Sequence, residues 1–295
     1  MCEHDDFSEF AGPARSLNRR EFGRMTFTAG LLATLPKQTF AGHTKGRDVE
    51  IKTASGVADA YFVHPAKGRH PGVLIWPDIF GLRPAFKEMA TRLAEAGYAV
   101  LVVNPFYRSK RAPTAPQNPS FDDPATRESL MALRNSLTVE TAQADATAFV
   151  TWLDAQKAVD AQRKIGTAGY CMGGPLVMRT AAALPERIGA AASFHGGGLA
   201  TEKPDSPHYL IQVMNARFLI AIAENDDAKE PTVKDTLRAA FATVNLPAEI
   251  EVYTGTKHGW CPTDSRVYDH TQAEKAWARM LALFERGLAA AAASL

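Results

Sequence analysis

Gly169-Tyr170-Cys171-Met172-Gly173-Gly174 sets a thiol among glycines. An apolar, partly β-favouring run precedes it (Ile165, Thr167, Ala168), and a helix-compatible run, 176–184, follows. The pattern is G-x-S-x-G with cysteine in the serine position. Such a turn holds a nucleophile at a strained point, and its glycines let strand and helix backbones approach closely. A helix starting just after Cys171 favours thiolate and aims backbone N–H groups at a developing oxyanion. Asn225-Asp226-Asp227 and Lys257-His258-Gly259-Trp260 each follow a later strand-like run. A histidine there can accept the thiol proton and pass it to a leaving group. An aspartate can fix its tautomer and stabilise its charged form. By position alone, Asp226 and Asp227 suit that role equally. Singly, these residues also read as a core cysteine, a helix cap and surface polarity. Together, in this order and each just after a strand, they point to nucleophilic catalysis.

Elements able to position them are legible. Short strands at 49–51 and 60–63 join near Ser55-Gly56, and 72–76 is a continuous apolar run ending at Pro77. Further strands are expected at 98–103, 165–169, 188–194, 218–223 and 250–253. Helices are expected at 85–96 (stopped by Gly97), 127–133, 139–156, 231–244 and 273–287. Residues 105–123 are rich in proline and polar residues and read as a long surface loop or a cap over the site. Strands that alternate with helices and are apolar throughout predict a mostly parallel, doubly wound α/β sheet with helices on both faces. In that fold, sites lie at the carboxyl ends of strands.

With these residues placed, the chain resembles the dienelactone hydrolase family over roughly residues 49–283. The anchors are Asp78-Ile79-Phe80-Gly81, the Cys171 turn, Glu224-Asn225-Asp226 and Lys257-His258-Gly259-Trp260. The resemblance implies an α/β-hydrolase fold, a Cys171–Asp226–His258 triad, no metal or other cofactor, and cleavage of a small ester or lactone. It favours Asp226 over Asp227, because the family's acid lies three residues after a small residue, here Ala223. It implies an oxyanion hole from the N–H groups of Met172 and Ile79. The family's best-known members carry a glutamate at the Asp78 position that contacts the resting thiol, so the shorter Asp78 is expected to modulate Cys171. Those members also grip a carboxylate with two arginines. One position is Pro262 here; the other is matched in a shifted register by Arg108, after Phe106-Tyr107, with Arg111 nearby. Weak activity on the dienelactone is therefore expected, with better activity on neutral or singly charged esters. Trp76, Phe80, Tyr107, Tyr170, Phe194 and Trp260 lie near strand ends, and Phe80, Tyr107 and Trp260 are expected to line the substrate cleft. His195, which ends another strand, is a further candidate for substrate contact. The rival readings are a broader carboxylesterase or thioesterase, a non-catalytic binding protein on the same fold, and a thiol redox sensor using Cys261.

The formal net charge is +1, without a basic stripe, which argues against nucleic acid or an anionic membrane as a partner. Three cysteines are too few for a disulfide framework. No His/Cys spacing suggests a metal site. Asn18-Arg19-Arg20-Glu21-Phe22, a mildly apolar run at 25–35 and Thr39-Phe40-Ala41 have the layout of a twin-arginine export signal. Residues 1–41 are thus expected to be a cleaved leader taking Cys2 with it. Residues 42–295 then form one domain, periplasmic or secreted, without stable membrane association. The partner expected is a small-molecule ester or lactone.

Overall fold

A computed structural model describes residues 43–117 and 119–289. The expected leader lies outside the described residues. Among the described residues, eight strands form one sheet in the order β1-β2-β4-β3-β5-β6-β7-β8. β1 (Thr44–Thr53) and β2 (Gly56–Pro65) pair antiparallel, as do β2 and β4 (Ala99–Val103). All other neighbours are parallel: β3 (Gly72–Trp76), β5 (Ile165–Tyr170), β6 (Ile188–Phe194), β7 (Arg217–Ala223) and β8 (Ala248–Tyr253). The sheet is mostly parallel, as expected, with an antiparallel hairpin at one edge. That hairpin is longer than its apolar residues suggest, because backbone pairing runs from Thr44↔Pro65 to Thr53↔Gly56. Only Val49 and Ile51 of β1 reach the core; its other side chains face outward and carry no apolar signal.

Among the described residues, seven α-helices flank the sheet: α1 (Pro84–Glu95), α2 (Pro124–Asn135), α3 (Val139–Asp154), α4 (Gly173–Ala183), α5 (Glu224–Lys229), α6 (Val233–Thr243) and α7 (His270–Gly287). Phe86 and Leu93 of α1, with Met280 and Phe284 of α7, pack on one face with Ile75, Val102 and Ala192. Phe149 and Leu153 of α3, Val177 of α4 and Phe241 of α6 pack on the other, with Leu74, Leu101 and Ala191. Successive strand residues alternate between these faces. Both faces are covered, so the central strands are apolar at nearly every position. Burying each large side chain contributes about 1.5–3 kcal/mol before the entropy of ordering it.

Caps set the helix starts. The Asp123 carboxylate accepts from the Thr126 N–H at 2.8 Å and starts α2 three residues before the apolar period does. Asp269 does the same for α7 through the Gln272 N–H at 3.0 Å. Gly97, at φ +100°, ends α1 as expected. Residues 105–123 contain no helix or strand among those described, but their start is not free surface. Phe106 and Tyr107 are buried, and the buried Asn104 donates to Asp59 Oδ1 and to the Lys110 carbonyl.

Candidate active site

Cys171 sits between β5 and α4 with φ +53°, a left-handed conformation costly for a non-glycine residue. The turn survives because its neighbours lack side chains. A Cβ on Gly169 would lie 2.2 Å from the Gly173 carbonyl oxygen, and one on Gly173 would lie 2.4 Å from the Trp76 carbonyl oxygen. One on Gly174 would meet Ser193 Oγ at 2.5 Å and the Gly196 Cα at 2.7 Å. Strand, Cys171 turn and helix are therefore packed backbone to backbone. The Cys171 N–H is held by the Phe194 carbonyl at 3.0 Å, and α4 begins two residues on. The thiol is half-buried.

The other two members of the expected triad meet it. His258 Nδ1 lies 2.7 Å from Asp226 Oδ2, and the imidazole is close enough to Cys171 to interact with it electrostatically. Burial pushes the His258 imidazolium towards losing its proton. Electrostatic attraction to Cys171 and the hydrogen bond to Asp226 outweigh it, leaving the pKa well above the usual histidine range. Asp226 lies in the first turn of α5, a six-residue helix with too few residues for an apolar period to reveal. Asp227 points elsewhere: both its oxygens accept from Lys234 Nζ, at 2.7 and 2.8 Å. Asn225 is a residue whose role the sequence reading missed. Its Oδ1 accepts the His258 backbone N–H at 2.8 Å. Two more bonds tie these loops: Glu224 N–H to Thr256 Oγ1 at 3.3 Å, and Gly255 N–H to Glu224 Oε2 at 2.9 Å.

Ile79 and Met172 are half-buried, and among the described residues neither N–H donates to a protein acceptor. The amides beside Ile79 are used within their own loop: Phe80 N–H donates to Asp78 Oδ1 at 2.9 Å, and Gly81 N–H to the Asp78 carbonyl at 2.9 Å.

Several expected site residues are placed differently. Asp78 does not bond the thiol. Its buried carboxylate takes a bidentate pair from Arg83, at 2.6 and 2.8 Å, as well as the Phe80 N–H. Arg83 turns at the same time to Asp264, with Nε to Oδ2 at 2.6 Å and Nη2 to Oδ1 at 3.0 Å. Burial opposes its charge, but Asp78 and Asp264 outweigh burial and hold the guanidinium protonated. Arg108, expected to anchor substrate, instead makes a bidentate pair with the buried Asp145, at 2.6 and 2.7 Å. Tyr107 donates to the same carboxylate at 2.7 Å and is itself buried. Arg111 pairs with Glu50 on the surface. A buried carboxylate needs such partners, and α3 supplies one where the loop's cations can reach it.

Of the aromatic residues near strand ends, only Phe80 is half-exposed. Trp76, Tyr170, Phe194 and Trp260 are core; Trp260 has no exposed surface and stacks on Tyr253 at 5.3 Å. His195 is also buried, at 1 % exposure, so it does not line the surface of the site. It takes φ +41°, and its ring lies edge-on to His258 at 5.2 Å. Burial, and then the charge of His258, keep it neutral. Among the described residues, no group of three or more His, Cys, Asp or Glu side chains is arranged to hold a metal ion.

Known proteins resemble this chain in sequence or in fold. A carboxymethylenebutenolidase of Rhodococcus opacus is 27 % identical over 251 residues, covering 83 % of this chain and 94 % of the relative. A dienelactone hydrolase-like promiscuous phosphotriesterase from metagenomic libraries superposes with a TM-score of 0.69 at 21 % identity, covering 84 % of this chain and all of the other. The dienelactone hydrolase of Anabaena variabilis gives 0.59 at 17 % identity, covering 83 % and 99 %. The last two speak to the fold alone. The family model of the dienelactone hydrolases matches residues 58–288, and the chain belongs to the dienelactone hydrolase family, with its α/β-hydrolase fold.

Proposed function

We propose that this hydrolase cleaves small esters or lactones through a covalent Cys171 intermediate. The observation that carries the reading is His258 held between the Asp226 carboxylate and the Cys171 thiol. In the first half-reaction the Cys171 sulfur attacks the ester carbonyl carbon. The carbonyl oxygen becomes an oxyanion, facing the uncommitted N–H groups of Met172 and Ile79. Collapse breaks the C–O bond, and His258 gives its proton to the leaving alkoxide. In the second half-reaction His258 takes a proton from water, the hydroxide attacks the thioester, and collapse releases the acid and the thiolate. Asp226 holds the imidazole in the tautomer that both steps need.

The commitment of Arg108 to Asp145 and of Arg111 to Glu50 favours neutral acyl groups over a carboxylated lactone. The same observation favours the broader carboxylesterase or thioesterase as the second reading. A charge-assisted contact is worth about 1.5–3 kcal/mol, so a missing anchor costs roughly ten- to a hundredfold in binding. The leader pattern at Arg19-Arg20 supports export to the periplasm. The test of mechanism is a mass trap. Brief exposure to an ester and lactone panel, followed by acid quench, should leave the acyl mass on the Cys171 peptide of the native protein. An acyl mass on any other residue, or full turnover by Cys171→Ala, overturns the assignment.

A further inference from the structure

The five-point hold on Arg83 joins two loops that catalysis needs together. One runs 78–83 after β3 and carries Ile79. The other runs from His258 to Asp269, where α7 begins. The guanidinium pairs bidentately with Asp78 in the first and bidentately with Asp264 in the second, and adds a long contact from Nη1 to the Gly81 carbonyl at 3.4 Å. Its Cζ also lies 4.8 Å from the Phe86 ring centroid and 5.5 Å from that of Phe80. Arg83 and Asp264 are 181 residues apart, so this is a tertiary clamp and not a local turn.

The two loops do not depend on the clamp equally. His258 has its own supports in Asn225 and Asp226, neither of which touches Arg83. Among the described residues, the polar contacts that hold loop 78–83 are its internal turn, Thr114 Oγ1 donating to the Phe80 carbonyl at 3.1 Å, and those of Arg83; Leu82 adds apolar burial at the end next to α1. The turn is built on Asp78, whose carboxylate is fixed by the guanidinium. We propose that Arg83 is a positioning residue for the oxyanion hole: it braces the Ile79 N–H against the histidine loop, using Asp264 as the far anchor. The inference rests on the Cys171 mechanism proposed above and names the residue that sets one of its two oxyanion donors.

Alkylation separates this role from a general effect on the thiol. Attack on iodoacetamide uses the Cys171 thiolate but forms no oxyanion, whereas both half-reactions of ester hydrolysis form one. Hydrolysis of p-nitrophenyl acetate and carboxamidomethylation of the Cys171 peptide are measured for the wild type, Arg83→Met and Asp264→Asn. Arg83→Met should lower kcat by about a hundredfold, the scale of one lost oxyanion donor, while KM and the alkylation rate stay within about twofold. Asp264→Asn keeps Asp78 paired, and Asp264 is half-exposed, so this variant should fold even if Arg83→Met does not. It should lower kcat by about three- to tenfold, with the alkylation rate unchanged. The clamp is refuted if kcat holds within about twofold in the folded variants, or if kcat and the alkylation rate fall in proportion. Cys171→Ala, measured in parallel, distinguishes the two failures. If it is inactive while the Arg83 and Asp264 variants match the wild type, only the clamp is wrong; if it retains turnover, the mechanism beneath the clamp is wrong as well.

Discussion

Asp226 and Asp227 are adjacent carboxylates with different work, and their partners tell them apart. Asp226 accepts from His258, Asp227 from Lys234. Asp226→Asn should therefore lower kcat/KM by about a thousandfold or more, the cost of a misoriented imidazole. Asp227→Asn should stay within about threefold, because a partly exposed ion pair is worth little. The reverse ranking in steady-state rates reassigns the acid. The same contact has a pH signature. The His258 pKa is raised in the folded state, so its pairing contributes full stability below the unfolded pKa of about 6.5 and loses it as pH climbs through the folded value. The His258 side chain is 36 % exposed, so screening discounts the effect to about 1 kcal/mol. Urea midpoints of the wild type and Asp226→Asn should lie furthest apart at about pH 5–6, below the unfolded histidine pKa, and converge in alkali; a gap that widens in alkali contradicts this assignment of the pair. The grouping of Cys171, Asp226 and His258 at neighbouring strand ends was legible in the sequence because each follows a strand in a fixed chain order. The partners that Asp78, Arg108 and Tyr107 take up were not legible, for the opposite reason. These partners, Arg83 and Asp145, are chosen by tertiary proximity, and no local pattern announces that a cation is already neutralised.

The turn from β5 into α4 places the site by close backbone contact, and that is testable at one atom. A Cβ on Gly173 would stand 2.4 Å from the Trp76 carbonyl oxygen and 3.0 Å from that of Pro77. Neither is the end of a flexible side chain, so α4 must move off β3, carrying Met172 away from Ile79. Gly173→Ala should destabilise by about 1–3 kcal/mol, the usual cost of overpacking, and should also lower kcat. Denaturant midpoints and rates within error of wild type would mean that the elbow has room to spare. Elements of this kind were readable where an apolar period or a glycine stop marks them: β3, β5, β6 and α1 fall within a residue of expectation. The two short elements were not. α5 has six residues, and the 3₁₀-helix Pro207–Val213 has seven. Neither is long enough to establish a period. β1 runs well past its apolar core, because backbone pairing needs no apolar side chain.

At the scale of the whole molecule, one sheet with cores on both faces carries the site, and export is the remaining question. The twin-arginine route carries proteins already folded, and the meeting of Cys171, Asp226 and His258 after β5, β7 and β8 exists only after folding. An oxidising compartment also threatens a free thiol. Cys171 and Cys261 are both unpaired, and they differ in burial: Cys171 is half-buried and Cys261 is buried. Burial pushes the Cys261 thiol well above its usual pKa, so little thiolate is available there to attack an oxidised Cys171. Replacing Arg19 and Arg20 with lysine should leave uncleaved protein in the cytoplasm, whereas the native leader should deliver the mature chain to the periplasm. An unchanged periplasmic yield on fractionation would rule out the twin-arginine route. The exported wild-type chain should then have the same intact mass with and without reductant, and both thiols should alkylate once it is denatured. A mass lower by the two hydrogens of a disulfide, restored by reductant with return of activity, would instead make Cys261 a redox partner of the nucleophile and favour a thiol switch over a constitutive hydrolase.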